Sequence, residues 1–393
     1  MNHEKKAPSK LFLLSLFMSL FVAGVPVIIS GLLLIDIGQT FGYPVGVTGQ
    51  IATAYSAIAV IFALIMGVLS TRYRHKTLLT AGLLLYVISA VCSYVSPNFP
   101  VLIVAYSLTG IGGSIVFPMT TTIIGEALPP ERRSSALGWV TAGQPLSVLV
   151  GSPTVNYIAS QYGWRSTFIY FMLPISIAGL AMVYFGIPKT SDRPVSSPRG
   201  SFEGFRSILS NRSALACLAG ALFVQVNLSN VLTYGVSSFR ERFLASSGLA
   251  SLIFSGMALA AFTGSIVGGN IVGRFGRKRV VAAASLLLGI LTIITFNLGL
   301  FWPSVLASIT LFLFASSSFV AGNSLSLEQV PEFRGTLMSV NGAARSLGAT
   351  LGTMMGGLVL LQYGYWALGL TAGAFGILSV LIYHFFTVDP SIS

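Results

Sequence analysis

Long apolar runs separated by short polar breaks dominate the chain. Twelve of them are long enough to cross a hydrocarbon core of about 30 Å, which takes about 20 residues of helix. They fall at 11–35, 47–70, 77–96, 101–124, 135–159 and 165–187, then at 213–236, 248–272, 280–299, 305–327, 337–361 and 367–386. Lipid offers no water to satisfy backbone N–H and C=O groups, so the pattern predicts a helix for every run. Two of the breaks are alike. GVLSTRYRHK, from Gly67 to Lys76, and GNIVGRFGRK, from Gly269 to Lys278, each squeeze Arg and Lys between two runs. The likeness continues at a nearly constant offset: Glu126 returns as Glu328, Glu131 as Glu332, Arg133 as Arg334, and Gln161-Tyr162-Gly163 as Gln362-Tyr363-Gly364. A run of matches at one offset predicts a duplicated six-helix unit. The expected halves are 1–187 and 213–393, joined by 188–212, a stretch of Pro, Ser and charge with no spanning run. Within it, FEGFRSIL is expected as a short amphipathic helix on the membrane surface.

Composition sharpens this picture. Hydrophobic residues make up 54% of the chain and charged ones 8%, against roughly 25% charged in a globular domain. The net charge of +12 would suggest nucleic acid as a partner in a soluble protein, but here the basic residues fall in loops between runs. Lys/Arg asymmetry of that kind sets orientation in a bilayer, so no nucleic-acid partner is expected. One side of the membrane carries nearly all of the Lys and Arg; the other holds only Arg165, Arg240 and Arg242. Both termini and the linker are therefore expected on the cytoplasmic side of a cell (plasma or inner) membrane. Cys92 and Cys217 lie inside apolar runs and imply no disulfide framework. The first run is long enough to span and lacks a cleavage-type end, so it is expected to be retained.

Two six-helix halves, this linker and these loops resemble the major facilitator superfamily over the whole chain. Within it the likeness is to the twelve-helix drug:proton antiporter and sugar-efflux group. ALPPERRSSALG after the fourth run, then Gly143, Gly151-Ser152-Pro153 and GWRSTF from Gly163, is similar to that group's pattern. Glu126 and Arg133 show the spacing known from sugar porters. The resemblance implies an all-α integral membrane protein with twelve transmembrane helices in two pseudo-symmetric halves. It also implies a secondary transporter working by alternating access, with its substrate near mid-membrane, exporting a small organic or amphipathic compound in exchange for protons. Two departures bear on the coupling: Thr71 and Gly273 stand where the loop motif carries Asp, and Tyr106 stands where many antiporters carry Arg.

Individual residues carry both a bland and a functional reading. Gly67, Arg72, Arg74, Lys76, Glu126, Arg133, Gly269, Arg274, Arg277, Glu328 and Arg334 anchor the basic loops, and they are also the candidate cytoplasmic gate, with the arginines pairing to Glu126 and Glu328. Gly143, Gly151 and Pro153 suit close helix packing, with a bend at the proline. Idle polar groups are costly in lipid, so buried ones are candidate substrate contacts. Arg345, its counterpart Gln144, then Asn227, Asn230 and Tyr234 on one helical face, and Asn323, Tyr55 and Tyr106 form that set. Arg345 either faces a cavity and attracts an anionic group or snorkels to the membrane surface. Asp36, near the outer end of the first run, is the candidate proton-coupling residue, or else an ordinary helix-end carboxylate.

Enzyme readings lack parts. No P-loop is present, and His3, His75 and His384 are scattered without metal-ligand spacing, so neither cofactor nor metal is expected. The chain is expected to act as a monomer in the lipid bilayer on a small-molecule substrate. An uptake symporter or uniporter for an organic anion, a lipid flippase and a non-transporting receptor remain alternatives.

Overall fold

The computed structural model describes residues 10–128, 130–187 and 198–389, which form helices and turns with no strand among them. The first half contains α1 (Lys10–Leu32), α2 (Gln50–Arg72), α3 (His75–Tyr94), α4 (Phe99–Ala127), α5 (Pro130–Thr141 continued by Gly143–Tyr162) and α6 (Phe168–Gly186). The second contains α7 (Arg212–Arg242), α8 (Ser247–Phe275), α9 (Arg277–Asn297), α10 (Phe301–Leu327), α11 (334–363) and α12 (365–386). Asn98, Asn211 and Ser246 start α4, α7 and α8 by accepting from the N–H three residues on, satisfying donors that a helix start leaves idle.

Ten helices among the described residues are long and apolar enough to cross a membrane. The last of them covers two crossings. Its 53 residues would run to about 80 Å at about 1.5 Å per residue, more than twice a hydrocarbon core. Gly364, at φ 78° and ψ −173°, divides it. The expected loop between 361 and 367 is thus a single non-helical residue. Its counterpart Gly163 has φ 81° and ψ 157°, so the repeated Gln-Tyr-Gly makes the same left-handed turn in both halves, where a side chain would be strained. The remaining crossing is α5, whose Gly, Pro, Ser and Gln residues make it the least apolar rod. The first run, expected to reach 35, ends at Leu32 and gives way to a short helix, Leu34–Phe41.

Within each half the helices pack through small residues. A β-carbon at Gly143 would lie 2.6 Å from the Phe17 carbonyl oxygen and one at Gly151 2.5 Å from Ile28, so α5 sits directly on α1. Gly348 and Gly352 bring α11 equally close to the α7 backbone. In the linker, Pro198–Ser210 is helical, as FEGFRSIL suggested, and buries Ile208 against Ala214, Val330 and Leu337 at the base of the second half. The stretch 188–197 lies outside the described residues.

The halves meet along three seams: α1 with α7, α2 with α11, and α5 with α8. The joining hydrogen bonds cluster toward the end that carries Asp36, Arg165, Arg240 and Glu241, called here the far end. Thr53 donates to Thr353 at 2.9 Å, Thr350 to Ser56 at 3.1 Å, and Ser255 to the Leu149 carbonyl at 3.0 Å. The last follows from Pro153, which has no N–H to offer the carbonyl four residues back and so leaves it free for the other half. Gly46 and Gly357 approach backbone to backbone on the same side. At the opposite, basic end, Gly138, Gly269, Gly273 and Gly342 face open space. The halves are therefore joined at the far end and part toward the basic one.

Candidate functional site

A narrow crevice lies between the halves at the point where they part. Val27, Ser30, Ala52, Tyr55 and Ser56 line it from the first half; Gln225, Ser229, Leu232, Thr233, Ala349 and Thr353 line it from the second. Seven of these eleven residues carry a hydroxyl or an amide, and none carries a charge. Its enclosed tip holds about 30 Å³, room for little more than water and far short of the roughly 300–1,000 Å³ of a small-molecule site.

Above the tip the closure is polar and tight. Tyr234 is fully buried, donates to the Thr353 carbonyl at 2.8 Å, and fills the space where a β-carbon at Gly49 would lie. Further out, Arg240 of α7 grips Asp36, with Nη1–Oδ2 at 2.7 Å and Nη2–Oδ1 at 3.3 Å. This two-pronged pair joins the halves, and both side chains are partly buried. Charge-assisted contacts of this form are the strong ones.

Several expected wall residues lie elsewhere. Asn227 is buried inside the second half, donating to Thr292 and to the Ala372 carbonyl. Its face of α7 turns toward α9 and α12, because the spacing that unites it with Asn230 and Tyr234 does not say which neighbour the face meets. Asn230 donates to the Val226 carbonyl and packs against Gly356. Tyr106 is buried in the first half, donating to the Pro26 carbonyl at 2.5 Å. Tyr55 lines the crevice as expected, and Gln144 is exposed on α5. Arg345 and Asn323 lie together one turn or more below the tip.

The basic loops keep one expected pairing, Arg277 with Glu328, and replace the arginine expected at Glu126 by His75. Glu126 meets His75, Nδ1 to Oε1 at 3.0 Å, and Glu328 meets Arg277 at 3.9 Å. Each pair ties two helices of one half, α3 to α4 and α9 to α10, so neither bridges the halves. Lys76 donates to the Tyr184 carbonyl at 2.7 Å and to that of Ile187, while Lys278 donates to the Thr387 carbonyl at 2.7 Å. Both lysines cap the C-terminal end of the last helix of their half, where the helix dipole favours a cation. Arg74 is exposed, and Arg274 stacks over Phe275 at 5.5 Å. Gly67, Arg72, Arg133 and Arg334 lie outside the residues whose side chains are described. Sequence reasoning missed Arg240, passed over as a loop residue, and the crevice hydroxyls, which in an apolar helix look like any Ser or Thr bonded to its own backbone.

The sequence model described as Major Facilitator Superfamily matches residues 12–243 and 218–393. The chain belongs to that superfamily. It is accordingly a multi-pass membrane transporter and not an enzyme. This superfamily member is 25% identical over 396 residues to the "Uncharacterized MFS-type transporter YwfA" of Bacillus subtilis (strain 168), covering 95% of this chain and 91% of the other. It is 23% identical to a "Probable sugar efflux transporter" of Pasteurella multocida (strain Pm70), covering 89% and 86%. Its fold matches a crystal structure of a D-xylose-proton symporter with a TM-score of 0.82 at 16% identity, covering 96% and 98%.

Proposed function

We propose that this transporter exports a small, polar organic compound of the sugar class by alternating access, from a cytoplasmic basic end to the far side of the cell (inner) membrane. The moving bodies are 1–187 and 213–393, joined by 188–212. The observation that carries the reading is the crevice itself. Hydroxyl and amide groups from both halves converge on one uncharged wall, which suits a ligand dense in hydroxyl groups. Relatives named as sugar efflux transporters support the same substrate class and direction.

The Asp36–Arg240 pair is the latch of the far gate in this reading. A proton arriving from the far side competes with Arg240 for Asp36, so an inward proton gradient favours opening there, as a proton-driven exporter requires. Asp36 thus serves as coupling residue through the latch.

The test uses proteoliposomes with the basic end inside, preloaded with labelled pentoses and hexoses. Loss of at least one labelled sugar should accelerate about 10-fold when the lumen is made alkaline relative to the bath, and Thr353→Val should remove most of that rate. Sugar loss no faster than from empty liposomes would overturn the reading. Export that ignores the gradient would overturn the coupling alone.

A further inference from the structure

Below the crevice tip, on the same face of α11 as Ala349 and Thr353, Arg345 sends its side chain across to α10. Its guanidinium stacks on the exposed ring of Phe319 at 4.5 Å. One terminal nitrogen donates to Asn323 Oδ1 at 3.4 Å, an oxygen that also accepts from Asn341 at 2.9 Å. The Asn323 oxygen is thereby saturated, whereas the neighbouring Asn341 oxygen and several donors are not. Arg345 Nε is buried without a partner, and the Asn323 amide nitrogen donates to none of the described residues.

Among the described residues the charge is also unanswered. The chain has ten carboxylates. Asp36 and Glu241 sit at the far end, and the other eight belong to the basic loops, the linker and the termini. No described carboxylate pairs with Arg345, which stands at mid-depth on α11, about 16 Å from the helix start. A cation held in a membrane span without a counter-charge is costly, and arginines so placed mark substrate pathways. The matched position in the first half is neutral Gln144, so helix packing alone does not call for a charge there.

We propose that Arg345 and Asn323 form an oxyanion subsite on the path to the crevice, so that the exported sugar-class compound carries a carboxylate or phosphate. This deepens the export reading and rests on it. The crevice hydroxyls would hold the sugar body, and the free donors of Arg345 and Asn323 would hold the acidic group through charge-assisted hydrogen bonds, with Phe319 keeping the guanidinium plane fixed.

Titration calorimetry on the full-length protein in nanodiscs, with D-glucuronate, D-glucose and inorganic phosphate as probes, tests this. Glucuronate should bind about 10-fold more tightly than glucose. Arg345→Gln should bring the two sugars within about 2-fold of each other, and Arg345→Lys should retain part of the preference. Equal binding of the two sugars by the unmodified protein overturns the anion subsite while leaving sugar export standing. Phosphate competing as well as glucuronate overturns it too, since the site would then serve a free ion. An Arg345→Gln protein that loses affinity for both sugars in proportion, with a lowered melting temperature, reveals a structural arginine and overturns it as well. Failure of both sugars to bind, with no sugar exported from liposomes, sinks the export reading and the subsite together.

Discussion

In the first half His75 meets Glu126; at the matched place in the second, Arg277 meets Glu328. Beside them Lys76 and Lys278 cap α6 and α12 in the same way, and Gly163 and Gly364 make the same turn. The comparison separates two kinds of repeated position. Where a helix end must be capped or the chain reversed with positive φ, both halves keep the same residue, because only that residue type answers the need. Where a side chain faces a changing surface, the halves diverge: Gln144 against Arg345, His75 against Arg277. Two copies of one scaffold thus present different chemistry to the space they share.

The largest effect tests the scaffold. A β-carbon at Gly110 on α4 would fall 2.0 Å from the Tyr55 carbonyl oxygen on α2, and the second half has a like contact between Gly264 and Leu313. Gly110→Val should cost at least about 3 kcal/mol, since backbone cannot step aside as a side chain can. Gly269→Val, which faces open space, should cost almost nothing. Thermal unfolding followed by a thiol-reactive dye on the buried Cys217 reads both. Comparable melting of the two variants would break the claim that matched close contacts hold each half.

A smaller effect tests the join between the halves. Asp36→Asn leaves the partly buried Arg240 without its counter-charge and should shift the balance toward an open far gate by about 1–2 kcal/mol. Labelling of a cysteine introduced at Thr53, applied from the far side, should rise severalfold; no rise would mean that the latch carries no load.

The smallest effect lies in the divergent loop pair. Histidine is charged only when protonated, so His75→Arg gives the first half the permanent charge that Arg277 supplies in the second. Glu126 is half exposed, and the gain should stay at or below about 1 kcal/mol. A double-mutant cycle with Glu126→Ala measures it, and a coupling well beyond that range would show the loop to be a structural keystone.

The fold was largely legible because run length, loop charge and the repeat all reflect what lipid imposes on a backbone. Helix ends were less so: Leu32 stops α1 and Gly364 alone divides α11 from α12, and neither leaves a mark in hydropathy. The site was legible in part. Arg345 and Tyr55 stand out as polar residues in apolar runs; Tyr55 lines the crevice, and Arg345 sits a turn below it on the face of α11 that carries Ala349 and Thr353. Asn227 and Tyr106 stand out equally, yet answer to partners in their own half, since one helix's periodicity cannot say what packs against it. The Asp36–Arg240 pair joins residues 204 apart, and no local pattern reports such a meeting.

The turn at Gly364 has a mechanical side. Because one residue separates α11 from α12, there is no slack chain to absorb a change in their relative angle. Any tilt that draws Thr353 and Arg345 away from the first half must carry α12 along, and with it α9, whose Gly289 touches α12 backbone to backbone. Torque applied at the ligand is thus passed straight to the outer, lipid-bathed flank of its half, which makes the thickness and stiffness of the surrounding bilayer part of the load the transport cycle works against.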